Sequence, residues 1–478
     1  MENHNEQTIS LKKGQEVILT VESAAFNGQS VARHDGMAIF LKDCVPGDKV
    51  RAMITRKKQS FAEGKTLEVL SPGKDRIEPR CRYFGDCGGC KWQNLDYQAQ
   101  LCWKRQHVID AFERIGKFEQ VDVWETLGCE EPFWYRNKME FSFNSSRWLT
   151  SSEIASGEKY IKDFALGLHA SGRYDKVIDI QECFLQSPLS NDILNRTRQF
   201  ALEQMLPPYS TSNHQGFLRN LVIRTSDATE EIMVVLITAD TNHHVMERYA
   251  EMFRQELPEV TTLINGINRK KARVAYSEEL RVLYGPGTIT EEIAGNSFTI
   301  SPFSFFQTNT KQGNLLYEKA LEGAQLTKDD IVWDLYCGAG TITLAAAREA
   351  GSVLGVEINE GAIKDANQNA LRNGITNVFF IADDMKDVIT KLEDEIDSSI
   401  VQPNAVFLDP PRAGLHPNVV EVLLRLAPDR ICYVSCNPTT QARDCELLSD
   451  AYQVEYVLPV DMFPQTYHIE TVARLTKK

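Results

Sequence analysis

Two short stretches near the C-terminus place reactive side chains where an enzyme would use them. The apolar run Ile431-Cys-Tyr-Val434 leads into Ser435-Cys-Asn-Pro438, and a second apolar run leads into Asp409-Pro-Pro-Arg412. An open α/β sheet presents its catalytic side chains at the carboxyl ends of its strands, so Cys436 is expected at such an end. A thiol there suits nucleophilic attack on a flat electrophile in a cleft. Taken alone, a buried core cysteine is an equally good interpretation.

The residues before these stretches predict a unit that binds a nucleotide-like ligand. Ile331-Val-Trp-Asp-Leu-Tyr-Cys-Gly-Ala-Gly340 indicates a strand and a glycine turn, and an alanine-rich helix follows from Thr341. The next predicted strand ends in Glu357, about 20 residues on, where a carboxylate binds ribose hydroxyls. Ile381-Ala-Asp-Asp384 closes a third unit with acidic residues that suit an adenine amino group. Because the third glycine of a dinucleotide site is missing, S-adenosylmethionine is the favoured ligand.

The chemistry of the target decides the role of the cysteine. Asp-Pro-Pro-Arg is similar to a motif of amino-methylating enzymes, but Arg412 replaces their aromatic residue and those enzymes need no thiol. Methylation of uracil C5 does need one, because a thiolate must add to C6 before C5 can accept a methyl group. A base then removes the C5 proton so that the thiolate can leave. Cys436 is the predicted nucleophile and Glu470 the predicted base, while His468 is assigned a structural or orienting role.

A second group of cysteines lies in the N-terminal half. Cys81-x5-Cys87-x2-Cys90 brings three thiols within ten residues, and glycines let the backbone wrap tightly. Such groups bind a soft metal centre. From spacing alone the fourth ligand stays open between Cys102, Cys129 and Cys183. Zinc stays possible because it accepts four thiolates, although the spacing is not that of paired CxxC motifs.

The elements that must position these residues begin with a β-rich N-terminal region. Residues 11–70 alternate strand-like runs with glycine turns, which predicts a small closed β-barrel of the oligonucleotide-binding type or a generic β-module. Arg56, Lys57 and Lys58 are predicted to lie on a loop, either in contact with phosphates or as a solvated tip.

The middle of the chain is less informative about chemistry. Residues 95–115 predict an amphipathic helix, and residues 130–290 are β-rich and mixed. Trp134-Tyr-Arg-Asn-Lys138 interleaves aromatic and basic groups, a composition that suits either RNA stacking or an ordinary interface.

The composition is that of a multidomain globular protein. Its 478 residues suggest roughly three domains, and 42% hydrophobic and 25% charged residues are ordinary values. The net charge of −14 argues against indiscriminate nucleic-acid binding. Residues 1–117, however, carry 19 Lys and Arg against 15 Asp and Glu, which leaves −18 for the rest and allows a local RNA partner. Without a predicted membrane span or signal peptide, a cytoplasmic location with reduced thiols is expected.

Together these motifs resemble the RNA (uracil-C5)-methyltransferase family, and in particular its 23S ribosomal RNA branch with a TRAM domain and an iron–sulfur cluster. The resemblance covers nearly the whole chain and includes Phe306-Gln-Thr-Asn309. It implies a multidomain α/β fold. The implied parts are an OB-like TRAM barrel that binds RNA (1–72), a central mixed α+β iron–sulfur and RNA-binding domain (73–92 and 130–290), and a Rossmann-like S-adenosylmethionine-dependent methyltransferase domain (93–129 and 291–478).

The resemblance also implies roles for individual residues. Cys436 matches the family's nucleophile and Glu470 its general base. The matching S-adenosylmethionine contacts are Gln307, Tyr336, Glu357, Asp409 and, less closely, Asp384. A [4Fe-4S] cluster is implied on Cys81, Cys87, Cys90 and Cys183, which makes Cys102 and Cys129 bystanders.

The substrate class follows from the same resemblance. The barrel and the cluster favour 23S ribosomal RNA, and the T-loop of tRNA is the alternative within the family. A hypothesis of another class, a non-catalytic RNA-binding protein with a structural cluster, leaves Cys436 and Glu470 unexplained. No membrane and no obligate protein partner are predicted.

Overall fold

The structure is a computed structural model that describes residues 11–271, 275–384, 388 and 402–478. Its N-terminal part is a closed five-stranded barrel. The strands are β1 (Glu16–Ala24), β2 (Ser30–His34), β3 (Met37–Lys42), β4 (Lys49–Lys57) and β5 (Phe61–Ser71), paired in the order β1-β2-β3-β5-β4.

Buried and exposed side chains alternate along the barrel strands. In β1, Val17, Leu19 and Val21 are buried while most of the residues between them are exposed. Asp35 and Gly36 both have positive φ, 48° and 78°, which fits the two-residue turn of a tight hairpin between β2 and β3. The predicted closed β-barrel is confirmed.

The predicted loop at residues 56–58 is wrong for Arg56 and Lys57 and is confirmed for Lys58. β4 continues to Lys57, and Arg56 lies 3.5 Å from Glu63 on the paired strand β5. Lys58 follows the strand with its ammonium 5.2 Å from the centre of the Phe61 ring. Cross-strand pairing has therefore extended the strand through a charged run that sequence reasoning placed outside it.

The central part is built on a mixed eight-stranded sheet. Its strands pair in the order β13-β12-β11-β10-β6-β8-β9-β7, and its helices pack against the sheet around one apolar core. The elements are β6 (Lys138–Asn144), β7 (Arg147–Trp148), α2 (Ser151–Ser156), β8 (Ala165–Ala170), β9 (Arg173–Asp179), α3 (Pro188–Glu203), β10 (Leu218–Thr225), β11 (Ile232–Thr238), α4 (His243–Glu256), β12 (Thr262–Ile267) and β13 (Glu279–Tyr284). Helix α1 (Tyr97–Arg114) precedes them in the chain.

The C-terminal part is a doubly wound α/β unit, entered through a hairpin and a helix. Its seven strands pair in the order β18-β17-β16-β19-β20-β22-β21. The elements are β14 (Ile289–Ile293), β15 (Asn296–Ile300), α5 (Thr310–Ala324), β16 (Ile331–Leu335), α6 (Thr341–Ala347), β17 (Ser352–Glu357), α7 (Glu360–Arg372), β18 (Val378–Ala382), β19 (Ala405–Leu408), α8 (Pro417–Leu426), β20 (Arg430–Ser435), α9 (Pro438–Leu448), β21 (Tyr452–Val460) and β22 (Glu470–Lys477).

The strand order of this sheet indicates where its ligand cleft lies. Strands β16, β17 and β18 follow one another in one direction and β19 and β20 in the other, so the order reverses between β16 and β19. In open α/β sheets the ligand cleft forms at the carboxyl ends of the strands at such a reversal. The last two strands depart from the parallel pattern, since β22 runs antiparallel to both β20 and β21.

Helix α1 belongs to the core of this C-terminal unit although it lies far away in sequence. Asp96 caps its first turn, and the predicted helix over residues 95–115 is confirmed. Val108 and Phe112 share a core with Ala442 and Cys445 of α9. Within the described ranges, the helices lack the combination of length and apolarity that a bilayer crossing needs.

Candidate active site

A cavity of about 1380 Å³ lies between the methyl-donor end of the C-terminal sheet and the central sheet. This volume exceeds the roughly 300–1,000 Å³ of most small-molecule sites, so the cavity has room for a cofactor and a nucleoside together. Six of the seven predicted catalytic and cofactor-binding residues line it: Gln307, Tyr336, Glu357, Asp409, Cys436 and Glu470.

The antiparallel pairing of β20 and β22 ends directly beside Cys436 and Glu470. Their last paired residues at this end are Ser435 and Thr471, and the Thr471 hydroxyl donates to the Ser435 carbonyl at 3.0 Å. One further step in the same register brings Cys436 opposite Glu470. Residues directly opposite each other on antiparallel strands have Cβ atoms about 4.5–5.5 Å apart on one face. The two residues therefore face the same space, although 34 positions separate them.

Arg412 is a cation close to both Cys436 and Glu470. Its carbonyl accepts hydrogen bonds from the Asn437 side-chain amide at 3.0 Å and from the Thr440 hydroxyl at 3.3 Å, which tie the Asp-Pro-Pro-Arg loop to the turn after β20. Burial and the carboxylate of Glu470 raise the pKa of the Cys436 thiol to about 11, whereas the charge and hydrogen bond of Arg412 act in the opposite direction. Arg412 is thus the group that favours the thiolate.

The carboxyl groups of the cleft have raised pKa values. Burial, and then the charge of Asp409, raise the pKa of Glu470 well above its ordinary value, while Arg412 lowers it. Burial raises the pKa of Asp409 to about 7. A cationic ligand in the cleft would lower both values and ionise both groups.

The turn after β16 has a backbone shaped for close approach by a ligand. Tyr336 has a φ of 71°, unusual for a residue with a side chain, and Gly338 and Gly340 have φ of 54° and 85°. A Cβ on Gly340 would lie 3.2 Å from the Phe380 ring, so packing there is also tight for a residue with a side chain. Strained conformations of this kind concentrate at binding sites. The amides of Tyr336 and its neighbour both donate to the Val356 carbonyl at 3.0 Å, which fixes the turn against β17.

Two acidic residues flank this turn. Glu357 accepts hydrogen bonds from the Gly338 amide at 3.3 Å and the Asn359 amide at 2.9 Å. Asp334 is buried; one of its oxygens accepts from the Thr343 hydroxyl at 2.5 Å, and the other has no hydrogen-bond partner in the described chain. Burial raises the pKa of Asp334 to about 7. Asp334 is also one of the residues that line the cleft, and a buried acceptor without a hydrogen bond fits a nearby ligand that carries a positive charge.

Gln307 sits where the central and C-terminal parts meet. The Gln307 side-chain amide donates to the Tyr317 hydroxyl at 3.0 Å. The Gln307 backbone carbonyl accepts from the Asn137 side chain at 2.9 Å. Asn137 therefore has a structural role within the Trp134–Lys138 segment, whereas Arg136 and Lys138 line the cleft. Contact of this segment with RNA stays a prediction.

Asp384 is the predicted cofactor contact that does not line the cavity, since it is not among the described residues there. Its charge nevertheless contributes to raising the pKa of Tyr336, so the two side chains lie within electrostatic reach of each other.

The four predicted metal ligands, called the cysteine group below, are Cys81, Cys87, Cys90 and Cys183. They contact one apolar core, and the charge of other members contributes to the raised pKa of each of Cys87, Cys90 and Cys183. The Gly89 amide donates to the Cys87 sulfur at 3.4 Å, and the Gln93 side chain donates to the Cys90 sulfur at 3.1 Å.

Over the part of the chain that the structure describes, no three or more His, Cys, Asp or Glu side chains converge as the shell of a metal ion. The predicted metal site is therefore not established. The burial of the thiols and their hydrogen bonds from N–H groups are still the surroundings in which cluster ligands are found.

Arg412 and Asp334 are functional candidates that sequence reasoning did not assign. Arg412 stood out only as a departure from an aromatic motif, and that departure is the signal that points to its role. Asp334 looked like an interior residue of an apolar strand, and only its unpaired oxygen reveals it.

Comparisons with known proteins agree with this geometry. The family model for tRNA (uracil-5-)-methyltransferase matches residues 229–478, and the TRAM domain model matches residues 10–67. The chain is similar to an RNA methyltransferase of Chlorobaculum tepidum, 41% identical over 473 residues and covering 98% of both chains. An RNA methyltransferase of Bacteroides thetaiotaomicron is 42% identical over 454 residues, which cover 94% of this chain and 99% of the relative.

One solved structure is similar over almost the full length. It is the tRNA (uracil-54, C5)-methyltransferase of Pyrococcus abyssi in complex with S-adenosyl-L-homocysteine, 26% identical with a TM-score of 0.72. The alignment covers 96% of this chain and 100% of that one.

Proposed function

The chain belongs to the tRNA (uracil-5-)-methyltransferase family and is thus an S-adenosylmethionine-dependent RNA methyltransferase with a TRAM domain; we propose that it methylates uracil C5 in 23S ribosomal RNA through Cys436 and Glu470. The observation that supports the mechanism is that β20 and β22 pair as far as Ser435 and Thr471, next to Cys436 and Glu470, which both line the cleft.

Cys436 begins the reaction. Its thiolate, favoured by Arg412, adds to C6 of the uracil, and the electrons of the C5=C6 bond move to C5 and the O4 carbonyl. C5 then forms a bond to the methyl group. Once bound, S-adenosylmethionine would supply that methyl group from its sulfonium, and the S–CH3 bond would break with its electron pair left on the neutral thioether sulfur. The side chain of Arg412 lies beside the sulfur throughout, where it also counters the charge of Glu470.

Glu470 completes the reaction. Its carboxylate takes the proton from C5, the C5=C6 bond re-forms, and the bond between C6 and the Cys436 sulfur breaks. The raised pKa of Glu470 suits a base that must hold this proton and later release it to solvent. His468 stays neutral at pH 7, because burial and nearby cations lower its pKa to about 4. An orienting role for His468 agrees with that charge state.

The methyl donor is assigned to the acidic side of the cleft. Glu357 at the end of β17 suits the ribose hydroxyls, and Gln307, Tyr336 and Asp409 line the remaining wall. The unpaired oxygen of Asp334 and the raised pKa of Asp409 support a cationic ligand here. Asp384 is retained as a more distant contact toward the adenine.

A [4Fe-4S] cluster on the cysteine group is part of the proposal. The mutual effects of the thiols and their N–H···S hydrogen bonds support it. Ligands of one zinc ion must converge on a point, whereas a cubane is held from its corners, so the lack of a single-ion shell weighs against zinc more than against a cluster. We assign the cluster a structural role in shaping the RNA-binding surface.

The domain boundaries are proposed as the resemblance implies them. Residues 1–72 form the RNA-binding barrel, 73–92 and 130–290 the central domain, and 93–129 and 291–478 the methyltransferase domain. Packing of α1 against α9 and the bridges from Val123 to Val457 and Leu127 to Val460 support the assignment of 93–129.

The second candidate substrate is tRNA. The activity in the name of the similar Pyrococcus abyssi protein, on uracil 54 of tRNA, favours it specifically. The resemblance to the ribosomal branch, through its barrel and the spacing of Cys81, Cys87 and Cys90, favours 23S ribosomal RNA. The non-catalytic alternative is set aside because the relatives are methyltransferases.

The substrate is tested with RNA from a strain that lacks this gene. Purified protein and labelled S-adenosylmethionine are incubated separately with 23S ribosomal RNA and with bulk tRNA, and 5-methyluridine is mapped by mass spectrometry. We expect label in 23S ribosomal RNA at one or a few uridines. Label in tRNA alone would replace the proposal with the second candidate, and label in neither would reject both.

A further inference from the structure

A buried ion pair from helix α1 holds the segment that presents the proposed base. That segment, called the base loop below, is residues 461–469 between β21 and β22. We propose that Lys104 and Asp461 are positioning residues that set the place of Glu470 for removal of the C5 proton. This inference rests on the proposed function.

The pair joins two distant parts of the chain. The Lys104 ammonium lies 2.5 Å from an oxygen of Asp461, and both side chains are fully buried although 357 positions separate them. The Tyr97 hydroxyl donates to the other oxygen of Asp461 at 2.9 Å. Two charges removed from water seldom add stability beyond that of an apolar pair of similar size. The geometry they impose is therefore the better account of their presence.

A chain of hydrogen bonds leads from the pair to His468, two residues before the base. Asp461 accepts from the Phe463 amide at 3.0 Å, and Lys104 donates to the Phe463 carbonyl at 3.2 Å. The same carbonyl accepts from the Thr466 hydroxyl at 2.8 Å, which in turn accepts from the His468 amide at 3.2 Å. Phe463, Thr466 and His468 all line the cleft, as Glu470 does. A shift of the pair is thus passed along the cleft wall to the base.

Other contacts hold the base loop independently of this pair. Asn309 donates to the Met462 carbonyl at 3.1 Å, and the Gln465 carbonyl accepts from the amides of Lys91 and Trp92 at 2.9 and 3.1 Å. Loss of the pair is therefore expected to loosen the placement of the loop without detaching it.

The nucleophile is held by contacts outside the base loop. Cys436 follows β20, and the Asn437 contact with Arg412 fixes the turn around it. Neither this contact nor the pairing of β20 with β22 involves a residue of the base loop. Disturbing Lys104 should therefore spare attack and methyl transfer and slow the removal of the proton, since a misplacement of about 1 Å can cost about 100-fold in rate.

The test separates these steps with two forms of the RNA that the wild-type protein methylates. In RNA with 5-fluorouridine at the target, C5 carries no proton to remove, so the methylated adduct persists and its formation reports attack and methyl transfer alone. With ordinary RNA, the release of 5-methyluridine also reports the base. The variants are Lys104→Met, Tyr97→Phe and, as a matched control, Arg114→Met, which alters an exposed ion pair with Asp110 on the same helix.

For Lys104→Met we expect adduct formation on the fluorinated RNA at the wild-type rate and release of ordinary methylated RNA slowed by about 10- to 100-fold, with covalent RNA–protein accumulating. Tyr97→Phe should show the same pattern with a few-fold effect, and Arg114→Met should show none.

Equal loss of both reactions in Lys104→Met, or loss of neither, would overturn the proposal. If Lys104→Met does not fold, Tyr97→Phe keeps both charges and decides by the same two measurements. Failure of the wild-type protein to form an adduct with fluorinated RNA would instead refute the proposed function.

Discussion

Two sets of thiols in this molecule share a raised pKa and differ in their neighbours. Burial raises the pKa of Cys436 to about 11, and it raises the pKa of Cys87 in the cysteine group to about 11 as well. Around Cys436 the charged neighbours are Arg412 and the carboxyl group of Glu470. Around Cys87 they are mainly other thiols.

The difference teaches that acidity alone does not assign a role to a buried cysteine. A thiol beside a cation and a base, in a cleft with room for a nucleoside, has what covalent catalysis needs. A thiol among other thiols, with hydrogen bonds from N–H groups to the sulfurs, is the setting for which we propose a soft metal centre. The two roles should therefore respond differently to substitution.

Cys436→Ala gives the largest expected effect. Turnover should fall by about 10⁴-fold or more, the scale seen when a nucleophile is removed, because no adduct forms at C6. Methyl transfer is measured with labelled S-adenosylmethionine, and binding of RNA and cofactor, measured alongside, should be retained. The control is Cys102→Ala, an exposed thiol that should leave turnover unchanged. Residual turnover within about tenfold of wild type would mean that Cys436 is not the nucleophile.

Cys87→Ser tests the proposed metal-binding role of the cysteine group. Anaerobically purified wild-type protein should be brown and contain iron and sulfide, and the variant should lose most of both because one thiolate ligand is gone. Metal analysis and the visible spectrum are the measurements, with Cys102→Ser as the control. A colourless wild-type protein with stoichiometric zinc would refute the cluster.

Arg412→Met should lower the reactivity of the Cys436 thiol, which itself stays in place. Loss of the cation raises the pKa of Cys436 further, and each unit of that rise cuts the thiolate fraction at neutral pH about tenfold. Single-turnover methyl transfer is therefore expected to slow by about 10- to 100-fold. Arg425→Met on α8, an exposed arginine outside the cleft, is the control. An unchanged rate in Arg412→Met would show that the guanidinium does not act on the sulfur.

The pH dependence of thiol reactivity gives the smallest effect. Because burial raises the pKa of Cys436, its thiolate is scarce at neutral pH and becomes more abundant as the pH rises toward about 11. Alkylation of Cys436 by iodoacetamide in the free protein, followed by mass spectrometry, should still accelerate about tenfold per pH unit above pH 7. A plateau near neutral pH would show that the thiol is already ionised.

Much of the site was predictable because its signals are local. The strand before Cys436, the glycine turn after Leu335 and the acidic end of β17 each lie within one stretch of sequence, and the structure has them at the predicted positions. The closed barrel followed from alternation in the same way. Local periodicity reports which residues share a face of one element.

The rest depends on pairings between distant residues. Nothing local indicates that β22 runs antiparallel to β20 and so sets Glu470 opposite Cys436. Lys104 belongs to the buried face of an amphipathic helix, and only the fold supplies Asp461 as its partner. Arg56 and Lys57 looked like a loop because charged residues are common in turns, and the pairing of β4 with β5 overrides that tendency.

The most direct test of the account uses Glu470→Gln with the RNA that the wild-type protein methylates and S-adenosylmethionine. The glutamine cannot take the C5 proton, so one methyl group should be transferred and the RNA should stay covalently bound. Mass spectrometry of the digested complex should find a methylated uridine attached to the peptide that contains Cys436. Release of methylated RNA at the wild-type rate, with no adduct, would contradict the pairing of Cys436 and Glu470 as nucleophile and base.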